Sequence, residues 1–199
     1  MAARHFTKAE ARAAAKDATW QYTAESAGQV LNSVRAKTRD SEAFDIFLSH
    51  SIADAELVLG VKQLLEQQGA TVYVDWSHDR QLDRSKVNAD TAALLRQRMR
   101  QSKSLIYLVT DAATTSKWMP WELGFFDGYR SGCVAIMPLL DRETDSFAGQ
   151  EYLGLYPRVT KDNYQNSTTS DVFVEGLGRW ATLKSFRAGT PNWQSYSRP

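Results

Sequence analysis

Glu122 stands in a stretch crowded with aromatic rings, Ser116-Lys117-Trp118-Met119-Pro120-Trp121-Glu122-Leu123-Gly124-Phe125-Phe126-Asp127-Gly128-Tyr129. Read as a helix, this stretch puts Trp118, Glu122, Phe125 and Tyr129 on one face, with Trp121 and Phe126 at its edges. Glu122 is then the only charge on an apolar stripe. An ionised carboxylate in such surroundings is costly unless it has a partner or a task, and carboxylates so placed are often functional. The bland alternative is that Pro120 marks the first helical turn, where backbone N–H groups and the macrodipole stabilise a nearby carboxylate at no functional cost.

Other chemistries lack their parts. His5, His50 and His78 with the single Cys133 form no metal-ligand pattern, so no metal is expected, and no Ser/His/Asp spacing stands out. Gly176-Leu177-Gly178 is an isolated pair of glycines inside an expected helix and is discounted as a dinucleotide fingerprint. Lys and Arg number 24 against 23 Asp and Glu, a net charge of +1, which gives no field to steer the chain towards nucleic acid or an anionic membrane. The longest apolar runs, Ser104–Val109 and Val134–Leu140, are strand-sized, too short to span a bilayer. Arg4, Lys8, Arg12 and Lys16 faintly imitate a presequence, but Glu10 and Asp17 interrupt it. A lone cysteine beside an apolar run fits a reducing, cytoplasmic setting.

The elements that must position Glu122 follow from the apolar periodicity. Residues 1–42 are alanine-rich, with Trp20, Ala24, Ala27, Leu31 and Val34 at helical spacing. They read as a helical extension that packs on the following domain or on another copy of itself, ending in the polar run Lys37–Glu42. Strands are expected at 44–49, 71–75, 104–109 and 134–140, with a fifth edge strand at 157–159. Helices fit 54–68, capped by Asp54 and stopped by Gly69, then 87–100, the aromatic stretch, and a closing helix at Val172–Phe186. Residues 187–199 read as a polar tail. Strands alternating with helices predict a parallel sheet covered on both sides, with its site at the carboxyl ends of the strands. Ser49–Ser51, the long polar loop Trp76–Ser85 and Thr110–Glu122 all lie at that edge.

These residues resemble a TIR domain. Phe44-Asp45-Ile46-Phe47-Leu48-Ser49-His50 is similar to the first box of that family. Gly69–Asp75 matches its second strand, Trp76–Ser85 stands where its BB loop stands, and Ser116-Lys117-Trp118 with Glu122 matches the Ser-x-Trp-x-x-x-Glu of its third helix. The resemblance covers residues 43–186 and implies an α/β, flavodoxin-like fold with a five-stranded parallel sheet. Two features depart from the pattern: Pro120-Trp121 directly before the glutamate, and a BB loop without Gly or Pro near its tip.

The resemblance further implies an enzyme that cleaves NAD+ at the nicotinamide–ribose bond to give ADP-ribose or a cyclic isomer, with NAD+ as substrate and no separate cofactor. Glu122 would be catalytic, supporting the oxocarbenium-like sugar left when nicotinamide departs. Trp118, Ser49, His50 and Trp76 would line the substrate site, while Arg80, Arg84 and Lys86 would meet the pyrophosphate. It also implies self-association and a role in bacterial antiphage defence. Two rivals remain at this level: a non-enzymatic scaffold, in which Glu122 is a first-turn helix charge, and a nucleoside deoxyribosyltransferase-like enzyme.

Overall fold

The computed structural model describes residues 4–21, 26–76, 89–147, 149–163 and 170–196. Short runs of Val, Ile, Leu and Phe bounded by polar turns make strands buried on both faces. They are β2 (Phe44–Ser49), β3 (Val72–Val74), β4 (Ser102–Val109), β5 (Val134–Leu140) and β6 (Arg158–Asn163). These run parallel in the order β3-β2-β4-β5-β6. The helices α3 (Ala55–Gln67), α4 (Ala89–Arg100) and α5 (Trp118–Tyr129) cover the two faces. This is the expected flavodoxin-like arrangement. The strand order reverses at β2, with β3 on one side and β4 on the other, so a crevice opens at the carboxyl ends of β2 and β4.

Alternation along the strands sorts the core into two layers. Ile46, Leu48, Ile106, Leu108, Ala135 and Met137 pack with Leu57, Val58, Val61 and Leu65 of α3. Phe47, Leu105, Tyr107, Val134 and Ile136 pack with Leu95 and Met99 of α4 and with Trp118, Met119, Leu123 and Phe126 of α5. Gly69, at φ 76°, ends the turn after α3 as expected.

The sheet is larger than the five strands expected. Among the described residues it has nine: β7 (Ser170–Gly176), β8 (Arg179–Thr182) and β9 (Gln194–Ser195) continue antiparallel beyond β6, and β1 (Phe6–Thr7) pairs with β5 off that path. The closing helix expected over Val172–Phe186 is therefore mostly a hairpin, and only α6 (Leu183–Arg187) is helical there. Leu177 and Gly178 form its two-residue turn with φ 57° and 77°, the positive pair that matches strand twist. Helical spacing misled because β-branched Val172 and Val174 also suit a strand. The expected polar tail supplies β9, and Trp193 packs on Phe186 with ring centroids 6.4 Å apart.

The N-terminal residues pack on the domain that follows, one of the two arrangements expected of them. They form β1 (Phe6–Thr7), α1 (Lys8–Gln21) and α2 (Ala27–Lys37). Strand β1 runs parallel to the end of β5, pairing Phe6 with Leu139 and Thr7 with Leu140. Helices α1 and α2 pack on α3, burying Ala11, Ala15, Ala18, Val30 and Leu31. Asp54 heads α3, but its side chain caps nothing there; it accepts a hydrogen bond from the Thr110 hydroxyl instead. Asp45 is structural: it accepts from the Thr71 N–H at 3.0 Å and pairs with Lys103 at 2.8 Å and Arg187 at 3.0 Å. Burial alone would raise its pKa, yet these partners hold it below the usual value.

The crossing of α1 over α3 rests on Gly60, where a Cβ would stand 1.8 Å from the Ala11 carbonyl oxygen. Gly60→Ala must therefore push α1 away from α3 and should destabilise the protein by about 1–3 kcal/mol or more. Urea unfolding of the variant with an unchanged midpoint would show that α1 does not rest on this contact.

Candidate active site

The site grows from the end of β2. Strand alternation turns Ser49 to the same side as Phe47, towards α5, and sends His50 to the other side. The Ser49 hydroxyl donates to Glu122 Oε2 at 2.6 Å, and Glu122 is 3% exposed. This is a short, charge-assisted hydrogen bond between residues 73 positions apart. Glu122 is the fifth residue of α5, in its second turn and past the first turn where the macrodipole acts. Unlike an ordinary first-turn surface charge, it is buried and points at a strand end.

The buried face of α5 is Trp118, Met119, Glu122, Leu123 and Phe126, a correction to the stripe expected from spacing. Phe125 and Tyr129 turn outward with Trp121, stacking in series at 5.8 and 6.3 Å between centroids. Two arginines of α4 cover that ladder, Arg96 over Trp121 at 5.3 Å and Arg100 over Phe125 at 5.8 Å. Trp121 and Phe125 are only part-buried, so the outer ladder tolerates water where the inner face does not.

The other expected site residues divide. Trp118 sits one turn before Glu122, 6% exposed, edge-on to Trp121 at 5.4 Å, and belongs to the core packed around the carboxylate. Trp76 is a correction: it is 1% exposed and packs in the opposite layer, stacked with His50 at 5.5 Å. Ser49 hydrogen-bonds Glu122 in one layer, while His50 stacks on Trp76 of the other. Ser51 caps the short turn Ile52–Asp54 through the Ala53 N–H. Arg80, Arg84, Lys86 and the rest of the expected BB loop after Trp76 lie outside the described residues.

Tyr107 is the site residue that the sequence reading missed. It pairs in register with Ser49 and faces the same layer. Its buried hydroxyl makes no hydrogen bond of normal geometry among the described residues. Burial first, then the nearby Tyr152 phenol and the charge of Glu122, raise its pKa, so it stays a neutral donor. A phenol in the middle of an apolar strand, at the register of Ser49, was the available signal. Tyr107 also lines a cleft of about 270 Å³ at the carboxyl ends of β4 and β5, with Thr110, Asp111, Leu139, Leu140 and Phe147. The arrangement offers a buried carboxylate, a neutral donor and, through Tyr107, an adjoining cavity at the carboxyl ends of β4 and β5, which suits a ligand in which positive charge develops.

A family model described as TIR domain matches residues 46–166. A protein of Bacillus cereus (strain MSX-D12), provisionally named 3′ cyclic ADP-D-ribose synthase ThsB′, is 46% identical over 151 residues, covering 75% of this chain and 78% of that protein. A Cytobacillus dafuensis protein, provisionally named cyclic ADP-D-ribose synthase TIR2, is 28% identical over 88 residues, covering 44% of this chain and 23% of that protein.

Ser49→Ala removes a short hydrogen-bond donor from a buried carboxylate. The expected loss is about 1–3 kcal/mol of stability, measured by urea unfolding. An unfolding midpoint equal to that of the unaltered protein would mean that Glu122 does not depend on this bond.

Proposed function

The chain belongs to the TIR domain family, and from that premise we propose that it cleaves NAD+ at the nicotinamide–ribose bond and yields ADP-ribose or a cyclic isomer of it. The observation that carries the reading is Glu122, buried, hydrogen-bonded by Ser49 and close to Tyr107, which lines the cleft at the carboxyl ends of β4 and β5. The names of both relatives, cyclic ADP-D-ribose synthases, support it.

Nicotinamide leaves NAD+ neutral, taking the electron pair of the broken C–N bond, so little acid catalysis is needed. The difficult species is the oxocarbenium-like ribose that remains. A carboxylate already stripped of water and held in one orientation stabilises that charge without reorganising. Glu122 takes this role, Ser49 sets its direction, and Tyr107 donates a hydrogen bond to the sugar or its phosphate. Capture of the cationic carbon by water gives ADP-ribose. Capture by a nucleophilic atom of the same molecule closes the ring. Trp118 and the apolar layer around it keep solvent from the carboxylate. The cyclic product would act as a diffusible signal, which fits the expected part in antiphage defence.

Glu122→Gln keeps the size and loses the charge. Nicotinamide release from NAD+, followed by chromatography with mass detection, should fall at least a hundredfold while the circular dichroism spectrum stays native. Tyr107→Phe should raise KM with a smaller effect on kcat. Undiminished release by Glu122→Gln sinks the catalytic assignment.

The cleft that Tyr107 lines is open, so a second copy would complete the enclosure of so large a substrate, and we assign self-association to the active form. Turnover per molecule should then climb as the protein is concentrated through its dimerisation range. Constant turnover down to a monomer verified by ultracentrifugation would refute it.

A further inference from the structure

Lys8 lies well outside the residues matched by the family model, yet it reaches the rim of the cleft. It is the first residue of α1, directly after β1 has paired with Leu139 and Leu140, two residues of the cleft wall. Its start is fixed by a capping box: the Thr7 N–H and hydroxyl donate to Glu10 at 2.8 and 2.9 Å, and the Glu10 N–H donates to Thr7 Oγ1 at 3.1 Å. Lys161 pairs with Glu10 and Glu143, holding the turn against β6. From that anchored position Lys8 Nζ lies 3.1 Å from Asp111 and 3.4 Å from Asp141. Asp111 opens the loop after β4 and lines the cleft; Asp141 follows β5.

Exposed pairs of this kind add little to stability. The carboxylates are 95% and 80% exposed, so solvent screens both links. Their effect on the cleft is larger in kind. Two carboxylates at the mouth of a site would repel a ligand carrying a pyrophosphate, and one ammonium between them offsets much of that repulsion. The same ammonium ties the loop after β4 to the end of β5, the two segments that form the cleft walls.

We infer that Lys8 is a positioning residue for substrate binding: it bridges Asp111 and Asp141, holds the cleft walls together and screens the rim for an anionic dinucleotide. This rests on the reading of NAD+ as substrate. The N-terminal segment thereby acts on the site from outside the matched domain. The hydrogen bond to Asp111, and the charges of both carboxylates, outweigh its partial burial and keep Lys8 protonated well above neutral pH.

The test uses the full chain with Lys8→Met, Lys8→Arg, and Lys8→Met combined with Asp111→Asn and Asp141→Asn. Lys8→Met should raise KM for NAD+ roughly three- to tenfold with kcat little changed, and the rise should shrink at high salt. Lys8→Arg should bind like the unaltered protein, and removing both carboxylates should bring KM part of the way back in the Lys8→Met background, since the repulsion is gone while the bridge is still missing. A KM rise that the two asparagines do not relieve, or no rise at all, overturns the inference. A second readout does not need turnover: amide hydrogen exchange over Asp111–Thr115 should quicken in Lys8→Met and not in Lys8→Arg. If the unaltered protein releases no nicotinamide, the reading of its function fails, and exchange alone then decides whether Lys8 holds the loop. Equal exchange in all variants would reject that role.

Discussion

The bond from the Ser49 hydroxyl to Glu122 is the constraint that the rest of the structure serves. It joins the end of β2 to the second turn of α5 in a place where Glu122 is almost wholly removed from water. A buried carboxylate costs several kcal/mol unless it is met by donors, and here part of that cost is offset by Ser49. Holding the bond at 2.6 Å requires α5 to lie at one height on the sheet. Its inner face does this with Met119, Leu123 and Phe126 sunk between β4 and β5, and its outer face does it with the arginines of α4 laid over Trp121 and Phe125. A site built on packed elements in this way keeps its geometry without help from a ligand.

Much of this was legible in the residues because the relevant signals are local. The runs 44–49 and 134–140 are apolar, strand-sized and bounded by polar turns, and both were found within a residue of the observed ends. Glu122 drew notice because a charge in an aromatic helix is locally inconsistent, and such inconsistency collects at functional sites. What failed depended on facts that a periodic pattern does not carry. The helical stripe chose Phe125 and Tyr129 for the inner face, because spacing alone does not say which of two apolar faces meets the sheet. Trp76 looked like a loop residue on the site's edge, but its ring crosses to the other layer and stacks on His50. Val172–Phe186 looked helical until Leu177-Gly178 is seen to take positive φ, which a single sequence does not announce when the first turn residue is leucine. Tyr107 was passed over since its importance comes from register with Ser49, a relation between strands 58 residues apart.

The same sheet explains why the chain ends matter to a site built in the middle of it. β5 and β6 pair at Ile136 and Arg158 and are then bridged by the N-terminal residues, because β1 takes up the carboxyl half of β5 while Arg4 bridges to Lys161 of β6. Backbone groups of Leu139 and Leu140 that would face a gap are thereby satisfied. Those two residues line the cleft, so its wall is fixed by β1, a strand that starts at Phe6, far ahead of β2 at Phe44, the first strand of the matched domain. Burial of Phe6 under the Lys161 ammonium, 5.1 Å from its ring, holds that strand in place. A cleft whose wall is finished by a distant segment gains a point of control that the central fold alone does not have: whatever loosens β1 from β5 also loosens the ground on which Lys8 reaches Asp111, while the bond from Ser49 to Glu122, set by β2 and α5, is left intact.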